Sequence, residues 1–187
     1  MRAKGILPVL ATAAMLIAFV IGCNTNKAAT PDVKDQVSHA LGNAGFKDVK
    51  VSADNDKQLV TLHGDVKTQE DKERAEDVAK TASAGWVVAN EIGVRPEGVE
   101  SAARKIDSNV DSAIEKDFKA VLIANHLDSQ HIRYDAKNGV LTLKGDVDNT
   151  AQREDAEKLA ATVPNVQQVV NELDVKGAKA KHKSAGE

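Results

Sequence analysis

Five histidines, one cysteine and two Gly-Asp pairs are the residues of this 187-residue chain with the most obvious chemical potential. The histidines are His39, His63, His126, His131 and His182, and no two stand at the i, i+4 spacing that puts a pair of metal ligands on one helical face. No glycine-rich phosphate loop and no nucleophile elbow occurs, and the spacing of Ser and His nominates no triad. Gly64-Asp65 and Gly145-Asp146 could supply paired carboxylates. Each pair lies near a strand end ahead of a helix, where a carboxylate accepts backbone N–H groups and suits the helix dipole, so a structural role is expected. Gly64 and Gly145 are expected to let the chain pass close to a helix. Asn90 and Asn171 sit on otherwise apolar strand faces and are expected to be buried amides bonded to nearby backbone. No catalytic residue, cofactor or metal site follows from these patterns, and the chain reads as non-enzymatic. Cys23 has no second cysteine for an internal disulfide or a zinc site, so its position must explain it.

That position is behind a short basic start, Met1-Arg2-Ala3-Lys4-Gly5, and an uncharged, mostly apolar run from Ile6 to Ile21. The run is shorter than the roughly 20 residues of a comfortable membrane span and has the build of a secretory signal. Its end, Val20-Ile21-Gly22-Cys23, resembles the lipobox of bacterial lipoproteins. The resemblance implies cleavage before Cys23, a diacylglycerol on its sulfur and an acylated amino group. Several acyl chains anchor far more firmly than one, at about 0.8 kcal/mol per buried CH₂. Asn24 replaces the Asp that signals inner-membrane retention in enterobacterial lipoproteins, so the resemblance points to the outer membrane. Removal of residues 1–22 takes away Arg2 and Lys4 but no acid, shifting the net charge from −3 to −5. Residues 23–31 are then the lipidated Cys and a small polar tether. An acidic chain with 3% aromatic residues is poorly suited to coating nucleic acid or stacking bases.

Beyond the tether the sequence repeats at an offset of 81 residues. Gln58-Leu59-Val60-Thr61-Leu62-His63-Gly64-Asp65-Val66 aligns with Gly139-Val140-Leu141-Thr142-Leu143-Lys144-Gly145-Asp146-Val147, and Val88 to Val94 aligns with Val169 to Val175. Two copies of one module occupy 32–95 and 104–176, with 96–103 as a linker or helix extension. Each copy opens on a helix: Val33, Val37 and Leu41 in the first, and Ile114, Phe118, Val121 and Leu122 in the second. Val99, Ala103, Ile106 and Val110 extend the second stripe back towards Pro96.

Val49-Lys50-Val51-Ser52 and Ile132-Arg133-Tyr134-Asp135 alternate as strands, and Asp54-Asn55-Asp56 and Lys137-Asn138-Gly139 turn them into hairpins. In the second hairpin strands Val60, Leu62, Leu141 and Leu143 should face inward, leaving Thr61, His63, Thr142 and Lys144 outside. Thr68 and Asn149 are N-caps of a further helix, whose Ala75, Val78, Ala79 and Ala82 match Ala156, Leu159, Ala160 and Val163. Gly85 and Pro164-Asn165 end these helices before a last strand, expected to run parallel to its neighbour through a crossover. Trp86 is expected to fill core space under the first unit. The fold class is α+β: two tandem α-β-β-α-β modules, each a small mixed sheet covered by two helices.

The aliphatic-Thr-Leu-x-Gly-Asp-Val strand, the Ala-rich helix and the final Val-x-Asn-x-aliphatic-x-Val strand resemble the BON domain. Two copies behind a lipobox resemble the double-BON envelope proteins, which include outer-membrane lipoproteins and osmotically induced periplasmic proteins. This chain departs from the usual Gly-Val before the last strand, having Gly85-Trp86 and Asn165-Val166, but Asn tolerates the left-handed conformation. No LysM-like segment follows the second copy. The resemblance implies a non-catalytic, membrane-anchored envelope protein whose modules bind phospholipid or an envelope partner and support membrane integrity or stress tolerance. A periplasmic protein-interaction or chaperone-like module without direct lipid contact is the alternative. Because the net charge is negative, contact with anionic lipid needs a local basic patch. Lys116 and Lys119 on the long helix, and Lys179, Lys181 and Lys183 in a basic tail over 177–187 that is expected to be disordered, are the candidates.

Overall fold

A computed structural model describes residues 32–127 and 131–176, all within one compact unit. Cys23, the segments 1–22 and 23–31, and Lys179, Lys181 and Lys183 lie outside the described residues. The first module comprises α1 (Val33–Asn43), β1 (Lys50–Asp54), β2 (Leu59–Val66), α2 (Gln69–Ala82) and β3 (Val87–Val94). The second comprises α3 (Glu100–Ala124), β4 (His131–Lys137), β5 (Val140–Val147), α4 (Thr150–Ala161) and β6 (Gln168–Val175). Each module carries a three-stranded sheet, in the orders β1-β2-β3 and β4-β5-β6. The first two strands of each pair antiparallel, and the crossover helix returns the third in parallel.

Local chemistry sets these boundaries. Thr68 and Asn149 accept the N–H of Asp71 and Gln152 at 3.1 and 2.9 Å, and Gln152 Oε1 accepts the N–H of Asp148 at 2.9 Å, a reciprocal cap. Asn138 and Gly139 both have positive φ, 48° and 82°, the conformation a two-residue hairpin turn demands. Asn165 takes φ 67° where the first module has Gly85 at 89°, so Asn does serve as the left-handed residue.

The two cores are built mainly from aliphatic residues and Ala. Val37, Leu41, Val60, Leu62, Ala75, Ala79 and Ile92 fill the first, with Trp86 half-buried against it. Ile114, Phe118, Leu141, Leu143, Ala156 and Ala160 fill the second, where Phe118 meets Tyr134 edge-on at 5.2 Å. Helices cover one face of each sheet only. The other faces meet each other, through a small cluster of Leu59, Ala89, Val140 and Val170. Contact with the other module therefore covers a face that alternation assigns to solvent, and Thr142 is buried and His63 half-buried rather than outside.

Three further expectations are corrected. Gly64 and Gly145 do not admit a helix. Their φ values are 130° and 117°, and a Cβ on Gly64 would stand 2.8 Å from the backbone oxygen of Asp48, while one on Gly145 would collide with that of His131. What passes close is the chain at the start of the neighbouring hairpin strand. The forward part of α3 is likewise not held by an apolar stripe, because Ile106 is 60% exposed and Val99 52%. Ion pairs hold it instead: Arg104 Nη2 to Asp65 Oδ2 at 2.7 Å, and Asp107 to Arg95. Finally, Asp65 takes guanidinium groups rather than backbone N–H, with Arg95 Nε at 3.4 Å on its other oxygen.

Candidate functional site

The outer face of α3 is one candidate. Lys105, Ser112, Lys116, Lys119 and Ile123 recur at intervals of seven, four, three and four residues, which places them along one stripe, and all five are exposed. The acids of the helix point elsewhere for definite reasons. Asp107 pairs with Arg95, Asp111 accepts the N–H groups of Asn138 and Gly139 at 2.9 and 3.1 Å, and Glu115 accepts that of Ala136 at 3.2 Å. Anchoring Arg95 and the second hairpin thus consumes the carboxylates on the inner side and leaves the lysines outside. Asp117 lies on the flank, beside the line of Ile106. Among the described residues Lys105, Lys116 and Lys119 make no ion pair. Lys116 and Lys119, the candidates read from the sequence, lie on this stripe; Lys105, eleven residues ahead of Lys116, joins them because α3 begins at Glu100.

The joint between the two sheets is the second candidate. It is built from equivalent positions of the repeat: Leu59 and Val140 are related by the offset of 81, as are Ala89 and Val170. Polar contacts follow the same relation. Asn138 Nδ2 donates to the backbone oxygen of Glu91 at 2.7 Å, and Lys57 Nζ to that of Glu172 at 3.0 Å. Each of these two carboxylates stands beside a basic side chain of its own sheet and receives a lysine from the other module. Glu91 has His63 Nδ1 at 3.1 Å and Lys137 at 3.7 Å, and Glu172 has Lys144 at 3.3 Å and Lys57 at 3.1 Å. Glu172 and Glu91 are largely buried there, so these pairs are screened less than surface pairs.

Beside the joint the sheets part around a cleft of about 450 Å³, lined by Ser52, Thr61, His63, Arg133, Thr142 and Lys144 among others. Ser52 Oγ lies 3.2 Å from His63 Nε2, and Glu91 sits beyond His63, a Ser–His–Glu succession that the sequence spacing gave no hint of. The contact of His63 Nδ1 with Glu91 is close but poorly aligned, and that buried nitrogen makes no hydrogen bond. The lining comes from strands alone, so no helix N-terminus offers donors to a developing oxyanion. Such an arrangement presents hydroxyl, imidazole and charged groups to the cleft without helix-borne N–H donors beside them.

Asn90 and Asn171 perform matching tasks. Asn90 Nδ2 donates to the carbonyl of Lys72 and to Glu76, at 3.0 and 2.9 Å, and Asn171 Nδ2 to that of Arg153 and to Glu157, at 3.1 and 2.9 Å. Each ties its last strand to the crossover helix, Asn90 fully buried and Asn171 half-buried. Burial pushes the Glu76 carboxyl up, but hydrogen bonds from Lys80 and Asn90 outweigh it and hold the group below its ordinary value. Lys72 is buried at the module junction, its Nζ 3.1 Å from the carbonyl of Asn138, and burial pulls its ammonium below the usual lysine range. Asp146 makes no ion pair among the described residues, so the two Gly-Asp pairs are not equivalent. The described residues contain no cluster of three His, Cys, Asp or Glu able to hold a metal, and no helix long and apolar enough to cross a membrane.

Comparison with known proteins bears on what these faces serve. The family model described as "BON domain" matches residues 29–96 and 110–177. The chain is 33% identical over 132 residues to osmotically-inducible protein Y of Escherichia coli (strain K12), an alignment covering 70% of this chain and 64% of that protein. It thus spans just under two thirds of that relative's length. Among solved structures, one of CdsD, a structural protein of the type III secretion system of Chlamydia trachomatis, aligns over 81% of this chain and 97% of its own at 11% identity, with a TM-score of 0.33. The CdsD C-terminal domain aligns over 78% and 98% at 13% identity, with a TM-score of 0.31. Scores of that size carry no functional argument.

Proposed function

Because the chain belongs to the BON-domain family, we propose that it is a cell-envelope protein, anchored through acylated Cys23, that docks on anionic phospholipid through the outer face of α3 and supports membrane integrity under stress. The observation that supports this reading is the segregation of charge on α3. Lys105, Lys116 and Lys119 share an exposed stripe with Ile123, while Asp107, Asp111 and Glu115 are spent on inward contacts. A lysine near an anionic surface contributes about 1 kcal/mol, so three together give roughly a hundredfold in affinity. Ile123, 52% exposed, adds an apolar contact at the interface. A chain from Cys23 onward, with a net charge of −5, needs such a local patch. The name of the osmotically-inducible relative agrees with a stress-linked role.

Co-sedimentation of the chain from Asn24 onward, without acyl groups, tests the lipid contact against anionic and zwitterionic vesicles at two salt concentrations. Binding to the anionic vesicles that falls with salt, and is lost in Lys116→Glu/Lys119→Glu, is the expected result. No binding to either vesicle, or binding indifferent to the double reversal, sinks it and favours a protein partner, which proximity crosslinking in cells would identify. Cys23→Ser should release the protein from the membrane fraction or block its maturation. Unchanged fractionation would contradict the anchor.

A further inference from the structure

Arg133 on β4 stands directly opposite Lys144 on β5, on the helix-free face of the second sheet. Two like charges in this relation destabilise a sheet. Lys144 reaches Glu172 at 3.3 Å, but that carboxylate is shared with Lys57 at 3.1 Å. Among the described residues the Arg133 side chain has neither a hydrogen bond nor an ion pair. Asp135 lies two residues further along the same face, about 7 Å away along the strand, and does not pair with it. An unneutralised guanidinium beside an ammonium therefore faces the cleft between the sheets.

The rest of the cleft suits an anion of limited size. Its volume is about 450 Å³, and both sheets line it. From the first sheet come the Ser52 hydroxyl, bonded to His63 Nε2 at 3.2 Å, and the small apolar patch of Leu59 and Ala89. Of the acids that line it, Glu172 is met by Lys57 and Lys144 and Glu91 by Lys137 with His63 beside it, and none of them, Asp135 included, reaches Arg133. We propose that this cleft binds a small oxyanion, a carboxylate or phosphate group, gripped by the Arg133 fork and the Lys144 ammonium, with the Ser52 hydroxyl as a donor from the opposite wall. The planar fork of arginine matches two oxygens of either group. An anion between the two cations removes their repulsion, so occupancy and stability rise together.

The test is a ¹H–¹⁵N NMR titration of the full-length chain with sodium acetate and, in a separate arm, methyl phosphate, against sodium chloride at matched ionic strength. Saturable shifts at Ser52, His63, Arg133 and Lys144 are expected with at least one probe and not with chloride. Response to acetate alone marks a carboxylate ligand, and response to methyl phosphate alone a phosphate. Arg133→Gln and Lys144→Gln should each weaken binding at least tenfold, and Lys158→Gln, on the exposed side of α4, should leave it unchanged. Without ligand, Arg133→Gln should melt higher than the parent chain, the opposite of what loss of a supporting contact would do. Absence of saturable shifts with both probes, or affinity undiminished in both cleft variants, overturns the proposal.

Discussion

Gln168, on β6 of the second module, grips Asn90, on β3 of the first: its Oε1 accepts the Asn90 backbone N–H at 3.1 Å while its Nε2 donates to the carbonyl of Val88 at 2.6 Å. The side-chain amide here occupies the place a neighbouring strand's peptide would take along the free edge of β3, and so closes that edge while joining the modules. Gln168→Ala should cost about 1–2 kcal/mol and speed hydrogen exchange at Asn90 more than at Val60 in the same sheet. Denaturant unfolding with amide exchange reads both; unchanged exchange at Asn90 would mean the clamp is ornamental.

The paired asparagines give a graded comparison. Asn90→Ala takes a donor from the carbonyl of Lys72 and from a carboxyl oxygen of Glu76 in a buried setting, and should cost about 2–3 kcal/mol. Asn171→Ala breaks the same contacts where water can replace them, and about 1 kcal/mol is expected. Equal losses in chemical denaturation would show that burial does not set the difference.

Glycine substitutions separate backbone needs from helix propensity. Gly145→Ala drives a Cβ into the carbonyl of His131 at φ 117° and should cost several kcal/mol, with Gly64→Ala less severe because its nearest atom is 2.8 Å away. Gly42, in α1 with open space around it, should instead gain about 0.5–1 kcal/mol as Ala. Thermal melts order the three variants.

Glu76 sets a pH dependence. Its carboxyl titrates lower in the folded chain than its ordinary 4.5, so the folded state binds the proton less readily than the unfolded one. The stability this provides is complete above that ordinary value and is lost as pH falls through the folded one. Glu76→Gln should therefore be less stable than the parent at pH 7 and should lose less on acidification below about pH 4.5. Parallel stability–pH curves for the two proteins would refute the linkage.

The modules themselves were legible in the sequence because repetition and alternation are local signals. The caps at Thr68 and Asn149 and the Asn138-Gly139 turn follow from neighbours a few residues apart, and the 81-residue offset from the recurrence of such short patterns. What escaped depends on partners brought together by the fold. Asp65 meets Arg95 and Arg104, and His63 meets Ser52 and Glu91 across three strands. The docking of two helix-free faces escaped too, since Leu59, Ala89, Val140 and Val170 read singly as strand residues of either side. The charge on α3 was half legible. Lys116 and Lys119 were visible as a basic pair, but the inward use of Asp107, Asp111 and Glu115 requires the hairpin and Arg95 in place.

The joint of like with like, Leu59 and Ala89 against Val140 and Val170, has the form of a contact between two identical subunits. Fused in one polypeptide, its halves meet at the millimolar effective concentration of a short tether rather than at the dilution of free protein. The entropic cost of bringing the two halves together is thereby lowered, and the halves need not be identical. His63 stands in one half where Lys144 stands in the other, each against the same acid of its own sheet, Glu91 or Glu172, and the covalent link holds the unlike halves together.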